Sequence, residues 1–363
     1  MYRLDQKTIN RLVDWYRENR RDLPWRKDRD PYGIWLSEIM LQQTRVEAVI
    51  DYYERFRKQY PDVRSLAEAD DETLLRLWEG LGYYSRVRNM KKCAQTLMEE
   101  YDGLLPADKE ELMKLPGIGS YTAGAISAIA YGLPEAAVDG NVLRVLSRYF
   151  AIYGDIKDPK LKKELEETIT DFYQKNKIND HDYISDLTQA LMELGALVCL
   201  PNGKPLCDKC PFSSECRACQ EELTETIPFR SGNKERKIID RTLFVIRQKD
   251  RFLLHKRPSE GLLAGMYEFL GTDQKLDQEE ALSYLKDMGI EVNHIDPLPS
   301  SGHIFTHLEW RMQAYEILAD RLPEFDQNKY ILVDKEQMQS LAVPSAFRTY
   351  LDHYGLRKRG KKR

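Results

Sequence analysis

No apolar run in the 363 residues approaches the roughly 20 that a helix needs to cross a bilayer, and the opening MYRLDQKTINRLV holds no apolar signal core. Those two absences predict a cytoplasmic protein. Excess positive charge is also missing, with 55 Lys and Arg against 59 Asp and Glu, a net charge of -4. That weighs against a uniformly basic nucleic-acid binder but leaves room for a local basic face. Six of the last seven residues (357–363) are Lys or Arg, which reads as a solvated basic tail with at most a nonspecific role. Apart from that tail there is no repeat and no low-complexity segment. Cysteine is scarce and unevenly spread: Cys93 stands alone in RNMKKCAQTLMEEY, and the other five lie between Cys199 and Cys219. In a chain of this length without a secretory signal, so tight a cluster reads as metal-binding rather than as a disulfide framework.

What is present describes a globular protein of two or three domains, 42% hydrophobic and 31% charged. Residues 1–220 read as helices joined by short loops. TINRLVDWYREN is amphipathic, a basic loop RRDLPWRKDRDPYG follows, and IWLSEIMLQQTRVEAVIDYYERF predicts one long helix. From Asp180 to Val198, Ile184, Leu187, Leu191, Leu194 and Val198 recur at helical steps and lead into the cysteines. EELTETIPFRSGNKERK then reads as a polar interdomain connector, placed at 221–235. Beyond it the period shifts towards two. RTLFVIRQKDRFLLHKRP predicts a β-hairpin turning at Gln248–Asp250, a helix follows in LDQEEALSYLKDMGI, and GHIFTHLEWRMQAYEIL and NKYILVD predict strands. Residues 236–356 therefore form an α+β domain.

Chemistry centres on Leu115–Asn141. Pro116, Gly117 and Gly119 allow a tight turn with exposed backbone, and small residues from Ser120 onward open a helix whose free N–H groups suit a phosphate. Asp139 ends the stretch in an Asp-Gly-Asn turn before NVLRVLSRYF, where a helix N-cap is the simplest role. Glu38 shares a helical face with Trp35, Ile39 and Gln42. The pattern alone favours a partly exposed glutamate with its stem on the core edge. If buried, its pKa would rise, as a general acid near neutral pH requires. GLGYYSRVRNM interleaves tyrosines with Arg86, Arg88 and Lys91, which suits either a core-packed helix start or a surface that grips phosphates and wedges a ring into a base stack.

Cys199-x7-Cys207-x2-Cys210-x5-Cys216 supplies four soft ligands for Zn²⁺ or an iron–sulfur cluster. With only one CxxC among the four, the unequal spacing fits a cubane better than a knuckle. Cys219 forms a second CxxC with Cys216, so a Cys207/210/216/219 zinc knuckle stays open.

In combination, PWR (24–26), WLSEIMLQQT (35–44), GLGYYSRVRN (80–89), LPGIGSYTAGAI (115–126), VDGNVLRVLSR (138–148), the cysteines, GLLAGMYEF and FTHLEW closely resemble the MutY-type adenine DNA glycosylases, within the endonuclease III group of helix-hairpin-helix base-excision enzymes. The resemblance implies an all-α helix-hairpin-helix region (hairpin at 115–120) with an iron–sulfur module (cluster loop at 199–216), followed by an α+β Nudix-like domain. It implies a monomer that removes adenine mispaired with 8-oxoguanine or guanine in duplex DNA. By position, Glu38 would protonate adenine N7 and Asp139 would stabilise the oxocarbenium-like sugar, supported by Tyr121 and Asn141. Trp25, Arg26, Leu41 and Gln189 would border the extruded base. Gln43, Thr44, Tyr83, Arg86, Gly117, Gly119 and Ser120 would contact DNA, and Phe305, Thr306 and His307 would read 8-oxoguanine. One [4Fe-4S] cluster would sit on Cys199, Cys207, Cys210 and Cys216. Relatives that also cut the backbone carry a nucleophilic Lys where Ser120 stands, so base removal alone is expected.

Three positions depart from the family pattern: the x7 gap where x6 is usual, Thr306 for Ser, and Tyr267 for Trp. A rival Nudix hydrolase would need the acids of REUxEExGU, but Leu282, Ser283, Lys286 and Asp287 occupy those places. Two further alternatives are a glycosylase for oxidised pyrimidines and a non-catalytic lesion-binding protein.

Overall fold

The structure is a computed structural model describing residues 2–232 and 235–356, so the basic tail at 357–363 lies outside the described residues. By internal contact the chain divides into two units, Met1–Ala69 with Ser85–Gly232, and Asp70–Tyr84 with Asn233–Arg363. No described helix is long and apolar enough to cross a membrane.

In chain order the helices are α1 (Gln6–Asn19), α2 (Pro31–Leu41), α3 (Val46–Gln59), α4 (Val63–Ala67), α5 (Asp71–Leu77), α6 (Ser85–Glu100), α7 (Lys109–Lys114), α8 (Ser120–Tyr131), α9 (Gly140–Tyr149), α10 (Pro159–Lys175), α11 (His181–Leu197) and α12 (Arg217–Gln220). Of these only α5 belongs to the second unit. An aspartate begins most of them. Asp5, Asp62, Asp108 and Asp180, like Asp139, each accept a hydrogen bond from the backbone N–H three residues on.

The single long helix expected over 34–56 is two. Gln43 adopts φ 57°, and the chain turns between α2 and α3. The Arg86 guanidinium holds the break open by donating to the carbonyls of Ile39, Met40 and Gln42 at 2.8, 2.9 and 2.7 Å, groups a continuing helix would have satisfied itself. Helix α2 is also buried from Tyr32 to Met40 rather than on one stripe.

The first unit's core forms where Leu12 and Tyr16 of α1, Val142 and Leu146 of α9, Leu165 of α10 and Leu187, Leu191 and Leu194 of α11 meet. Helix α8 is buried from Thr122 to Ala130. Its small residues are required: a Cβ at Gly124 would lie 2.1 Å from the Ala136 carbonyl oxygen. That close approach fixes the strand-like run leading to Asp139.

The second unit is built on a mixed six-stranded sheet of β1 (Lys237–Gln248), β2 (Arg251–Lys256), β3 (Tyr267–Thr272), β4 (Val292–Ile304), β5 (Leu308–Ala319) and β6 (Tyr330–Val333), in the order β4-β5-β1-β3-β2-β6. Strands β1 and β5 run parallel from Lys237↔Leu308 to Arg247↔Leu318, and the other pairings are antiparallel. The β1–β2 hairpin turns at Lys249 (φ 56°), within the expected segment. Period-two patterning sends alternate β1 residues to two cores. Leu243 and Val245 pack with Phe269, Phe347 and Tyr350, the last from α14 (Arg348–His353). Phe244 and Ile246 pack with Leu285 of α13 (Gln278–Asp287).

Candidate active site and nucleic-acid interface

A cavity of about 640 Å³ in the first unit gathers residues from six separate stretches of chain. Its lining includes Trp25, Arg26, Glu38, Leu41, Gln43, Thr44, Gly119, Ser120, Tyr121, Asp139, Asn141 and Gln189. Twelve of the sequence-derived candidates thus face one space.

Glu38 is 6% exposed, overturning the partly exposed reading favoured by its pattern. With α2 buried along its length there is no wet face for the side chain to reach. Burial pushes its pKa up to about 7, with nearby Asp139 adding to the rise, while the Tyr121 hydroxyl and Arg26 pull the other way. The Tyr121 O–H donates to Glu38 Oε2 at 2.5 Å. Burial raises the Tyr121 phenol well above its ordinary value, so this group stays a donor.

Asp139 caps α9, accepting from the Val142 N–H at 2.8 Å through Oδ1 and from Asn141 Nδ2 at 2.8 Å through Oδ2. Burial raises its pKa, and the Val142 and Asn141 donors, with Arg144 beyond them, oppose that rise. The same carboxylate therefore caps α9 and lines the cavity. Arg144 continues the chain of contacts: it donates to Asn141 Oδ1 (2.9 Å), the Gly195 carbonyl (2.7 Å) and the Cys199 carbonyl (2.7 Å). The α9 and α11 backbones approach so closely that a Cβ at Gly195 would lie 2.6 Å from Asn141 Cβ and 3.1 Å from its Cα.

Sequence reasoning missed Arg21 and Glu193, which also line the cavity. Burial alone would raise Glu193, but hydrogen bonds from Arg21 and Arg26 hold it down to about 2. Arg26 donates through two nitrogens at 3.0 and 2.8 Å, and Arg21 through its backbone N–H and two side-chain nitrogens. Only an acid at helical spacing within the apolar face of α11 could have flagged Glu193. Ser120 Oγ donates to Glu166 at 3.0 Å, and Lys162 lies 3.7 Å from the same carboxylate.

The remaining interface candidates sit elsewhere. Gly117 (φ 79°) and Gly119, the N-cap of α8, form the expected turn between α7 and α8. Arg86 does not reach outward: it is 8% exposed and occupied with the end of α2, which corrects the expectation of a phosphate contact. In the second unit Tyr83 is exposed, adopts φ 48° and shares a 2.9 Å hydrogen bond with Thr306 Oγ1. Phe305 packs against Trp310 (4.8 Å) and closes the β4–β5 turn through its N–H to the Leu308 carbonyl, leaving Thr306 and His307 exposed.

Cys199, Cys207, Cys210, Cys216 and Cys219 are all free thiols around one small cavity in the first unit. Burial pushes Cys210 up to about 12 and Cys207 and Cys216 to about 11, each raised further by neighbouring cysteines. The buried Arg148 donates to Cys199 Sγ at 3.3 Å. The donor set fits a thiolate-bound metal group. Among the described residues no three such side chains converge tightly enough for a single ion.

The profile of the HhH-GPD superfamily base excision DNA repair proteins matches residues 36–171, and that of the NUDIX domain matches 242–353. A thermostable thymine-DNA glycosylase superposes with a TM-score of 0.52 at 28% identity, over 60% of this chain and 96% of that one. The adenine DNA glycosylase of Buchnera aphidicola is 33% identical over 94% of this chain and 96% of its own. That of Mus musculus is 34% identical over 97% of this chain and 79% of its own. With helical and Nudix regions both matched in order and almost the full length aligned, the chain belongs to the adenine DNA glycosylase family.

Proposed function

We propose that this protein excises adenine mispaired with 8-oxoguanine or guanine from duplex DNA by hydrolysing the N-glycosidic bond. The observation that carries the reading is Glu38, buried at the cavity wall with a pKa of about 7, sharing that cavity with Asp139. Two carboxylates whose environments set their pKa values differently divide acid and anion roles between them. Protonated Glu38 donates to adenine N7. The C1′–N9 bond then breaks, adenine leaves with its electron pair, and positive charge develops on the sugar. Asp139, in its anionic form and accepting from the Val142 N–H at the start of α9, stabilises that charge until water adds at C1′. Tyr121 keeps Glu38 oriented, and Asn141 does the same for Asp139.

The base enters the cavity only after leaving the duplex, and Trp25, Arg26, Leu41 and Gln189 border it there. Glu193 fixes Arg26 so that its position at the base costs little ordering on binding. Gly117, Gly119 and Ser120 hold a phosphate of the adenine strand at the start of α8. Gln43, Thr44 and Tyr83 occupy the gap near the opposite base, and Phe305, Thr306 and His307 read 8-oxoguanine. Ser120 has no amine with which to form a Schiff base, so the reaction ends at the abasic site. Cys199, Cys207, Cys210 and Cys216 hold a [4Fe-4S] cluster, with Cys219 as spectator. The protein acts as a monomer.

Duplexes carrying A:8-oxoG, A:G, A:C, C:8-oxoG and thymine glycol, incubated with the protein and then treated with alkali, test the reading. Cleavage confined to the adenine strand supports it, fastest opposite 8-oxoguanine. Cleavage at thymine glycol, or none anywhere, overturns it. Glu38→Gln and Asp139→Asn should each abolish base release while duplex binding persists.

A further inference from the structure

The segment read from sequence as a free connector, 221–235, is largely tied to the first unit. Leu223 N–H donates to Ala218 O (2.8 Å), Ile227 N–H to Leu223 O (2.9 Å), and Ile227 is 2% exposed. Phe229 makes a bridge with Asp155, and its carbonyl accepts from the Ile156 N–H at 3.0 Å. Lys157 Nζ donates to the Gly232 carbonyl at 3.0 Å and to that of Ser231.

The same connector meets the cysteine cluster through one side chain. Arg148, on α9 and 4% exposed, donates through Nε to the Ile227 carbonyl (2.7 Å). Its other arm donates to the Leu200 carbonyl (2.8 Å) and to Cys199 Sγ (3.3 Å). We propose that Arg148 is a latch that makes the order of residues 223–232 depend on a loaded cysteine cluster. The inference rests on the reading of these cysteines as metal ligands. A thiolate bound to metal is an acceptor for a charged donor, whereas a neutral thiol sulfur is a weak one. Loading therefore fixes one arm of Arg148, and the planar fork carries that constraint to the arm on Ile227. Stripping the metal frees the loop at Cys199 and Leu200 together with the connector.

Hydrogen exchange followed by mass spectrometry on the full chain tests this, comparing peptides covering 223–232 in loaded, chelator-stripped and Arg148→Gln protein. Exchange at 223–232 should be at least tenfold faster in the stripped protein, with α3 unchanged. Arg148→Gln should expose the same peptide while keeping its iron. Its cluster potential should fall, because a donor to the sulfur is lost, a shift that a purely structural role would not produce. Equal protection of 223–232 with and without metal overturns the proposal, and this arm stands alone if Arg148→Gln does not accumulate. Iron and sulfide analysis of the same loaded sample judges the cofactor reading separately. Zinc without sulfide overturns the iron–sulfur assignment, while exchange still decides the latch.

Discussion

Glu38 joins function to a stability cost. A carboxyl whose pKa is raised in the folded protein favours folding below its unfolded value, and that contribution is lost as pH rises through about 7. From 4.5 to about 7 the loss amounts to roughly 3 kcal/mol at high pH. Glu38→Gln should therefore stabilise the first unit progressively between about pH 4.5 and pH 7, reaching about 3 kcal/mol above that range, while abolishing base release. Denaturant melts at the two pH values read the difference, and an equal gain at both would contradict a burial origin. In the unmodified protein, kcat/KM for adenine release should fall as pH rises through about 7, when the acid loses its proton. The opposite limb belongs to Asp139, whose pKa burial raises from its ordinary value. Asp139 was legible because an acid in an Asp-Gly-Asn turn before an amphipathic run is a cap signature. Burial of Glu38 was not, since periodicity identifies a wet face only when a helix has one.

At the level of elements, the least legible feature was the α2–α3 break. Gln42, Gln43, Thr44 and Arg45 contain neither Gly nor Pro, and the cause is a side chain more than forty residues away. Arg86→Ala should leave the carbonyls of Ile39, Met40 and Gln42 without their shared donor and destabilise the protein by about 3 kcal/mol. A urea midpoint shift with an unchanged m-value would measure it. Base release should fall as well, because the same turn sets Gln43 and Thr44 at the cavity. The Arg21–Glu193 contact was hidden for a similar reason: its partners are 172 residues apart, and local patterns carry no trace of such pairs. By contrast the hairpin, the strand periods and the Lys249 turn were readable because each is decided within a few residues.

For the whole molecule, each unit has its own apolar core, which predicts two cooperative transitions in calorimetry. In the second unit Glu268 is 5% exposed, set among Arg241, Arg257 and His255. Despite burial, those neighbours hold its pKa below the usual value. Glu268→Gln leaves two arginines short of a counter-charge and should lower one transition by about 3–5 kcal/mol of stability while leaving the other in place. A single merged shift would contradict separate cores. The close approach at Gly195 reaches further, to inheritance. A methyl group there meets the backbone of Asn141 rather than a pliable side chain, so it displaces the start of α9 and the carboxylate that caps it. Gly195→Ala touches no chemical group, yet, on the proposed excision of adenine opposite 8-oxoguanine, cells relying on this protein should accumulate G:C to T:A transversions as fast as cells carrying Asp139→Asn. A mutation-rate assay beside a soluble-protein blot would reveal a repair defect written in a residue without a side chain.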